Sequence, residues 1–466
     1  PITFWLDRVD GFAMLMGLWN AAVFAGGITA ILINTPGTPA SLTQSWDGYP
    51  LYKQGKGGLA LGINVIFSFI GGMVSILLLI LFAEPIARFT IHFGSAEYCM
   101  IALFGMSMMI AVSGGDVIKG LALGALGLLL STVGLDPIVG TKRFTFGSTA
   151  LSAGIDFIPI MIGIFGLSEV FYQIYTFDKK ADAEEHEARK VNLSLGRVLP
   201  AWKEMGKWTP KCLVAALVST IVGAVPAAGG DIASIICWGN AKRLSKNGDE
   251  YGKGSLEGLA ISSTANNGVI GGAMTTMLTL GIPGDSTTAV LLGSLMMYGL
   301  TPGWQMFNEA ADFTAQIMIL MVLANLAFLI IGLATAKSVA RFLNMKSQTV
   351  WAAVSVLCVV GSYAINNRFL DVVIMLVMAI IGFFLKVYQF PNGPLVLGLL
   401  LGSTMEKNMR RALVVSSGEW SYFVTQPISC VLLILVIATF CVPIVKGIIG
   451  KRKKAAANDS MDAPQE

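Results

Sequence analysis

Histidine is nearly absent from this chain: there are two, His92 and His186. Charge is scarce as well. Asp, Glu, Lys and Arg together make up 13% of the residues, against about 25% in an ordinary soluble protein. The six cysteines (Cys99, Cys212, Cys237, Cys358, Cys430 and Cys441) stand singly in or beside apolar segments, with no Cys-x-x-Cys spacing. Neither a structural metal site nor a disulfide framework is expected from such a set, and the thiols read as buried free groups. No Gly-x-Ser-x-Gly, His-Glu-x-x-His or Walker A run occurs. The sequence therefore offers no nucleophile elbow, no zinc-hydrolase helix and no phosphate cradle, and the chain does not hydrolyse ATP by itself. No cofactor is expected.

What fills the chain instead is apolar surface. Hydrophobic residues make up 55%, the mean hydropathy is +0.71, and there are 52 glycines. A water-soluble fold has no means of hiding so much, so the composition predicts an all-α polytopic membrane protein embedded in a lipid bilayer. Abundant glycine fits helices that pack closely or break in lipid. The net charge is only +4, and the basic residues lie in loops. That pattern orients a chain in a membrane and does not point to nucleic acid.

A helix needs about 20 apolar residues to span a bilayer. The first candidate covers 11–33 and runs into Asn34-Thr35-Pro36-Gly37. A polar stretch from Gln44 to Gly58, with Asp47-Gly48-Tyr49-Pro50, reads as a loop. Apolar runs follow at 59–82, 97–113, 117–134 and 150–175, separated by turns such as Glu84-Pro85 and Asp136-Pro137. Residues 176–210 are charged with both signs and read as a cytoplasmic linker. They divide the chain into a first membrane repeat, 1–175, and a second, 211–450. Residues 211–241 carry lysines or arginines on both flanks, which predicts a re-entrant hairpin entering and leaving on the cytoplasmic side. Beyond it come 258–300, 313–335, 349–365, 369–387, 393–405 and 427–449, then a disordered cytoplasmic tail, 451–466. The count is about 11 spanning or re-entrant elements at the length a bilayer requires. Lys407, Arg410 and Arg411 conflict with this topology, because one span separates them from the equally basic Lys451-Arg452-Lys453-Lys454. The chain opens on Pro1 without an initiator Met or a signal-peptide pattern, so the natural N-terminus is expected to lie upstream.

Two of the apolar stretches are interrupted in the same way. Gly26-Gly27-Ile28-Thr29 leads through an apolar run to Asn34-Thr35-Pro36-Gly37-Thr38 and Ser41. Gly271-Gly272-Ala273-Met274-Thr275 leads to Gly281-Ile282-Pro283-Gly284-Asp285-Ser286-Thr287. Aligning the Gly-Gly starts requires a gap of two residues. Matching broken segments in two halves of a membrane protein mark the binding site of a secondary transporter. A helix broken in mid-membrane exposes free N–H groups at one new end and free C=O groups at the other. The N–H end suits a carboxylate, while the C=O end with Thr, Ser and Asn oxygens suits a small hard cation such as sodium. Glycine lets a ligand approach the backbone. The hairpin tip, Pro226-Ala227-Ala228-Gly229-Gly230-Asp231, is irregular backbone that survives in lipid only against protein or a water-filled cavity. Asp231 fits either a cation ligand or a helix cap, and Asp285 carries the same ambiguity. Asn266 and Asn267, adjacent amides within an apolar stretch, fit either a cavity or an interhelical hydrogen bond.

Other classes remain in view. Intramembrane aspartyl proteases pair a Tyr-Asp with a Gly-x-Gly-Asp. This chain has Gly114-Gly115-Asp116 and Gly229-Gly230-Asp231, neither of them that motif, and no Tyr-Asp. An intramembrane hydrolase is the weakest alternative; a non-transporting membrane scaffold is the other.

Several motifs, in order, carry a family resemblance. They are 26–41 as quoted, Asp47-Gly48-Tyr49-Pro50, Thr132-Val133-Gly134-Leu135-Asp136-Pro137 and Arg143-Phe144-Thr145-Phe146-Gly147. Gly154-Ile155-Asp156-Phe157-Ile158-Pro159, Gly223-Ala224-Val225-Pro226 with the tip, Leu280-Gly281-Ile282-Pro283-Gly284 and Gly393-Pro394-Leu395-Val396-Leu397-Gly398 continue it. Together they cover nearly the whole chain, which resembles the large membrane subunit (TctA-type) of the tripartite tricarboxylate transporters. The resemblance implies a bacterial inner-membrane protein that imports a carboxylate by secondary active uptake. Its partners would be a small membrane subunit and a periplasmic solute-binding protein, and the coupling ion sodium or a proton. The lack of an obvious buried carboxylate pair favours sodium. Inverted repeats and alternating access, of elevator type, are implied as well. Two departures stand out. The family's hairpin reads Pro-Gly-x-Gly, whereas Ala227 follows Pro226 here. The family also carries an N-terminal span and a first copy of that motif before the position matching Pro1. The residues expected at the substrate and ion site are Asn34, Thr35, Pro36, Gly37, Thr38, Ser41, Pro226, Gly229, Gly230, Asp231, Asn266, Asn267, Gly281, Pro283, Gly284, Ser286 and Thr287.

Overall fold

The structure is a computed structural model, and it describes residues 2–34, 37–112, 117–136, 139–177, 196–225, 229–336 and 347–439. In chain order the main helices are α1 (Arg8–Ile33), α2 (Leu42–Lys53), α3 (Gly57–Phe89), α4 (Ser95–Val112) and α5 (Val117–Ser131). They continue with α6 (Phe157–Phe177), α7 (Trp202–Gly223), α8 (Gly229–Leu244), α9 (Leu256–Leu280) and α10 (Ser286–Met297). Last come α11 (Ala311–Thr335), α12 (Ser347–Asn366), α13 (Phe369–Val387), α14 (Asn392–Val415) and α15 (Pro427–Thr439). Among the described residues the only strands are β1 (Gly134–Leu135) and β2 (Lys142–Arg143), a two-residue antiparallel ladder. Five helices among the described residues are long and apolar enough to cross a bilayer: Arg8–Leu32, Gly57–His92, Phe157–Phe177, Ala311–Thr335 and Phe369–Val387. With the shorter apolar helices of α5, α10, α12 and α15, they make this an all-α, multi-pass membrane protein.

The chain forms two compact units. The first comprises Pro1–His92 and Ile155–Asn392; the second comprises Phe93–Gly154 and Gly393–Glu466. This division by contact cuts across the division by repeat that the sequence suggests.

In the first unit α9 is the central helix. Every residue from Gly258 to Thr279 is buried, against α3, α7 and α8. Polar contacts from neighbouring helices accompany this burial: Thr220 Oγ1 donates to the Gly268 carbonyl at 3.0 Å, and Ser75 Oγ accepts the Gly271 N–H at 2.8 Å. α1 and α9 run in opposite directions. Tyr298, just after α10, donates to the Thr3 carbonyl before α1 (2.7 Å), and Gln54, just after α2, donates to the Lys253 carbonyl before α9 (3.1 Å). Each broken segment thus ends where the other begins. Glu257 ties down both arms of the α7–α8 pair, taking Lys211 at 2.6 Å and Ser245 at 3.0 Å. α6 contains a π-helical stretch, Ile162–Leu167. At its start Asp156 accepts from Asn366, which also holds Asp371 of α13.

Two expectations are corrected here. Residues 44–58 are not a polar loop: α2 is a helix whose Thr43, Gln44, Ser45 and Asp47 are buried. The Asp47 carboxylate is fully paired. It accepts Trp238 Nε1 (2.7 Å) and the backbone N–H groups of Gly252 (2.8 Å), Gly254 (3.3 Å) and Ser255 (2.9 Å). Nor does Glu84-Pro85 make a turn. α3 continues to Phe89, because Pro85 sits in its last turns, where only an i−4 bond is lost.

In the second unit, Asp136 starts the connection between β1 and β2, its N–H donating to the Thr141 carbonyl (2.9 Å) and its carbonyl accepting the Gly140 N–H (3.0 Å). Arg143 pairs Glu406 through both its terminal nitrogens (2.7 and 3.1 Å), and Arg410 bridges Asp136 and Glu406, each at 2.8 Å. Of the three basic residues at 407–411, the pairing involves Arg410; Lys407 and Arg411 are exposed. Arg410 is neutralised by two carboxylates, so it carries no free positive charge for orientation.

Candidate functional site

The two breaks are the same structure built twice. α1 ends on Asn34 in the left-handed conformation (φ 53°) and α9 ends on Gly281 in the same conformation (φ 69°). Only glycine, and to a lesser degree Asn, adopts it readily. Three residues later comes the proline-linked glycine, and each glycine lies on its own helix. A Cβ on Gly37 would fall 2.7 Å from Gly26 Cα; on Gly284 it would fall 2.6 Å from Ala273 Cβ. One residue further the chain re-enters helix through a reciprocal turn. Ser41 Oγ accepts the Thr38 N–H (3.1 Å) and donates to its carbonyl (2.7 Å). Thr288 Oγ1 accepts the Asp285 N–H (2.9 Å) and lies 3.0 Å from its carbonyl. Thr29 caps the Gly26 carbonyl at 3.1 Å, as Thr276 caps that of Ala273 at 3.1 Å. All these pairs (26 with 273, 29 with 276, 34 with 281, 37 with 284, 38 with 285, 41 with 288) share one separation of 247 residues. The correspondence needs no gap. Aligning Gly26-Gly27 with Gly271-Gly272 misplaced the register by two, because those glycines serve different contacts: Gly26 meets Thr38, while Gly272 meets Thr220.

The α7–α8 pair reaches both breaks. The Gly223 carbonyl at the end of α7 is 2.8 Å from the position a Gly284 Cβ would take, and Ser234 of α8 donates to the Ala40 carbonyl at 2.7 Å. Asn34, Gly37, Thr38, Ser41, Gly281, Pro283, Gly284 and Thr287 therefore gather with the end of α7 and the first turns of α8. Gly229, Gly230 and Asp231 form the first residues of α8, so Asp231 stands within the helix and not before it. Ser286 is the first residue of α10. Thr35, Pro36, Pro226 and Ala227 lie outside the described residues, as do Asp116 and the greater part of 176–210. Asn266 and Asn267 stand off the left-handed end of α9 but near where both breaks fold back: Gly284 packs on Ala273, seven and six residues further along α9, and Asn266 bonds the Val23 carbonyl, three residues before the Gly26 that Gly37 packs on. The two asparagines precede Gly281 by 15 and 14 residues on one continuous helix, which at 1.5 Å per residue is roughly 21 to 22 Å.

The electrostatics of the breaks differ. Asp285 caps α10 with its own carboxylate: Oδ1 accepts the Thr288 N–H at 2.7 Å and completes a capping box. The first turn of α2 holds no acid. There the hydroxyl oxygens of Thr38 and Thr43 and Oε1 of Gln44 are buried without a partner. Within α2, burial raises the Asp47 carboxyl above the usual range against the pull of its four donors. Burial and the neighbouring Glu257 push the Tyr251 hydroxyl above the usual phenol range. Among the described residues no three His, Cys, Asp or Glu side chains gather as metal ligands. A cavity of about 660 Å³ opens at the starts of α1 and α11, lined by Arg8, Gln305, Glu309 and Asp312 among others. Its charges are of both signs, and it is not formed by the breaks.

Sequence reasoning missed Asn20, Gln44, Asn64, Asn325 and the Asp47–Trp238 pair. The separation of 247 residues is the signal that finds Asn20, since it places Asn20 opposite Asn267.

The chain was compared with known proteins. The family described as "Tripartite tricarboxylate transporter TctA family" matches residues 1–397. A curated relative from Agrobacterium vitis, "Uncharacterized 52.8 kDa protein in TAR-I ttuC' 3'region", is 34% identical over 454 residues, 97% of this chain and 89% of the relative. A second from the same organism, "Uncharacterized protein in TAR-II ttuC' 3'region", is 31% identical over 240 residues, 52% of this chain and 99% of the relative. No solved structure matches the chain. By the family match and the first relative, the chain belongs to the TctA family of tripartite tricarboxylate transporters.

Proposed function

We propose that this TctA-family chain is the substrate-translocating subunit of a binding-protein-dependent secondary transporter in the bacterial inner membrane. It imports a carboxylate, either a tricarboxylate such as citrate or a related di- or aromatic carboxylate, down a sodium or proton gradient. It works with a small membrane subunit and a periplasmic solute-binding protein. The observation that carries this reading is the pair of equivalent breaks reached by the two arms of one hairpin. Such a pair supplies free helix ends at depth without a buried basic residue. The carboxylate belongs at the first break. The start of α2 offers N–H groups and the unpartnered Thr38 and Thr43 hydroxyls, with Ser41 holding the turn and no competing acid, and helix N-termini attract anions. At the second break Asp285 already occupies the N–H end, so a substrate carboxylate is repelled there. Gly281, Pro283, Gly284, Ser286 and Thr287 then form the facing wall.

The test is uptake of radiolabelled citrate and other carboxylates into proteoliposomes holding the full-length protein with its small subunit and binding protein. Uptake is expected only with the binding protein and an inward cation gradient. It should be lost, with folding retained, in Asn34→Ala and Thr287→Ala. No uptake of any carboxylate by folded protein under either gradient overturns the proposal and leaves a membrane scaffold.

A further inference from the structure

Four buried asparagines stand at one level of the first unit, one turn of α1 from Gly26, on which Gly37 packs, and six to seven residues of α9 before Ala273, on which Gly284 packs. Asn266 of α9 donates Nδ2 to the Val23 carbonyl of α1 (2.8 Å), which fixes where these helices cross. Asn20 lies three residues before Val23, on the same face of α1, and donates Nδ2 to the Met16 carbonyl (2.9 Å). Asn325 of α11 donates Nδ2 to the Phe69 carbonyl of α3 (3.1 Å), with its Oδ1 2.5 Å from where a Gly72 Cβ would lie. At that level of α3, Gly71 packs on the main chain of Thr264, three residues before Asn267. All four asparagines are fully buried. Asn20 and Asn267 are equivalents across the 247-residue repeat.

The pattern of satisfaction is lopsided. The amide nitrogens of Asn20, Asn266 and Asn325 are each spent on a main-chain carbonyl, while the Oδ1 atoms of all three have no partner. Turning any of these amides over would set carbonyl against carbonyl, so the orientation is fixed by its partner. Asn267 has neither end paired. A buried amide oxygen without a donor costs on the order of 1–3 kcal/mol, and here several share one level. An excess of buried acceptors calls for a cation and repels an anion. The ligands are neutral and hard, and among the described residues no acidic cluster stands nearby to balance a second charge. Divalent ions of this size draw on carboxylates.

We infer that Asn20, Asn267 and Asn325, with Asn266, form an intramembrane site for a dehydrated monovalent metal cation of about sodium size, shared by the two repeats and built from the continuous parts of the helices that the breaks fold back onto. Binding itself does not depend on the carboxylate reading; only the identification of this ion as the coupling ion rests on it.

The experiment is thermal unfolding of the purified full-length protein in detergent, without substrate, as sodium chloride replaces choline chloride at constant ionic strength. Sodium should raise the Tm saturably, as a ligand of the folded state does. Asn20→Ala and Asn325→Ala should weaken the apparent sodium affinity tenfold or more, while Thr335→Ala, whose exposed hydroxyl bonds only the Ile331 carbonyl of its own helix, leaves it unchanged. Where an alanine variant does not fold, Asn20→Asp serves instead, and its added charge should tighten sodium binding and admit calcium. Equal Tm in sodium and choline for the wild type overturns the inference. So does an unchanged sodium response in Asn20→Ala, Asn267→Ala and Asn325→Ala, which would mean that the amides hold water alone. A failed uptake assay leaves both outcomes readable, because no substrate is present.

Discussion

The first and second breaks share a backbone and differ in nearly everything attached to it. Both end a helix on a left-handed residue, fold a glycine back onto the helix and re-enter through a hydroxyl turn. The first then leads into a buried polar helix with Gln44 and Asp47, and no acid stands at its start. The second carries the Asp285 carboxylate at the turn and leads into a helix whose buried face is Ala289, Leu291, Leu292 and Leu295. The repeat thus conserves the shape of a helix end while reversing the charge presented there. One backbone design can serve an anion on one side and exclude it on the other.

The sharpest way to break this comparison is at the exit helices. Asp47→Ala strands two buried donors, Trp238 Nε1 and the Ser255 N–H, at about 1–3 kcal/mol each, and frees the part-buried N–H groups of Gly252 and Gly254. We expect a loss of at least about 3 kcal/mol in denaturant unfolding. Its equivalent, Ser294→Ala, removes only a hydroxyl that bonds the Val290 carbonyl in its own helix, and should cost less than about 1 kcal/mol. Equal losses would mean that the exits do the same work.

Next in size is Thr38→Asp, which gives the first break the carboxylate of the second. Carboxylate uptake should fall about 100-fold, equivalent to roughly 2.7 kcal/mol, while the Tm holds or rises through a better cap. Retained uptake would sink the assignment of the anion to this break. Asp285→Ala tests the other side. Loss of the cap should lower stability by about 1–2 kcal/mol, whereas Thr38→Ala, with no capping bond to lose, should leave the melting curve in place. The smallest effect is at the left-handed residues. Gly281→Ala should cost about 1 kcal/mol and Asn34→Gly only tenths, since Asn already tolerates that conformation; circular dichroism melts would measure both.

Much of this was legible in the sequence because its cause is local. Pro-Gly after a Thr-bearing apolar run terminates a helix wherever it stands, so both breaks could be read directly. The register between them could not. Gly26-Gly27 and Gly271-Gly272 are the most conspicuous pairs, yet each answers to a different neighbour helix. Residues 44–58 read as a loop because the donors that allow Asp47 to be buried come from Trp238 and residues 252–255, about 200 positions away. Asn20 was inconspicuous beside Trp19, and it gains meaning only when the repeat places Asn267 opposite. The pairing of Arg410 is hidden for the same reason: Asp136, its partner, lies far from it in sequence.

That last pairing also sets an order of events in synthesis. The second unit is discontinuous, with its first part at Phe93–Gly154 and its remainder beginning at Gly393. Arg143 and Glu406 are 263 residues apart, and Asp136 and Arg410 are 274 apart. At roughly 5–20 residues per second, Asp136 and Arg143 leave the ribosome about 13 to 55 s before their partners. The first unit has every one of its helices in hand before the second can close its ion pairs. A nascent chain halted between Asn392 and Glu406 therefore holds a complete first unit beside an Asp136–Arg143 pair still waiting for its other half. The C-terminal helices act as the closing step of biogenesis, and quality control that senses unmet charge has that interval in which to act.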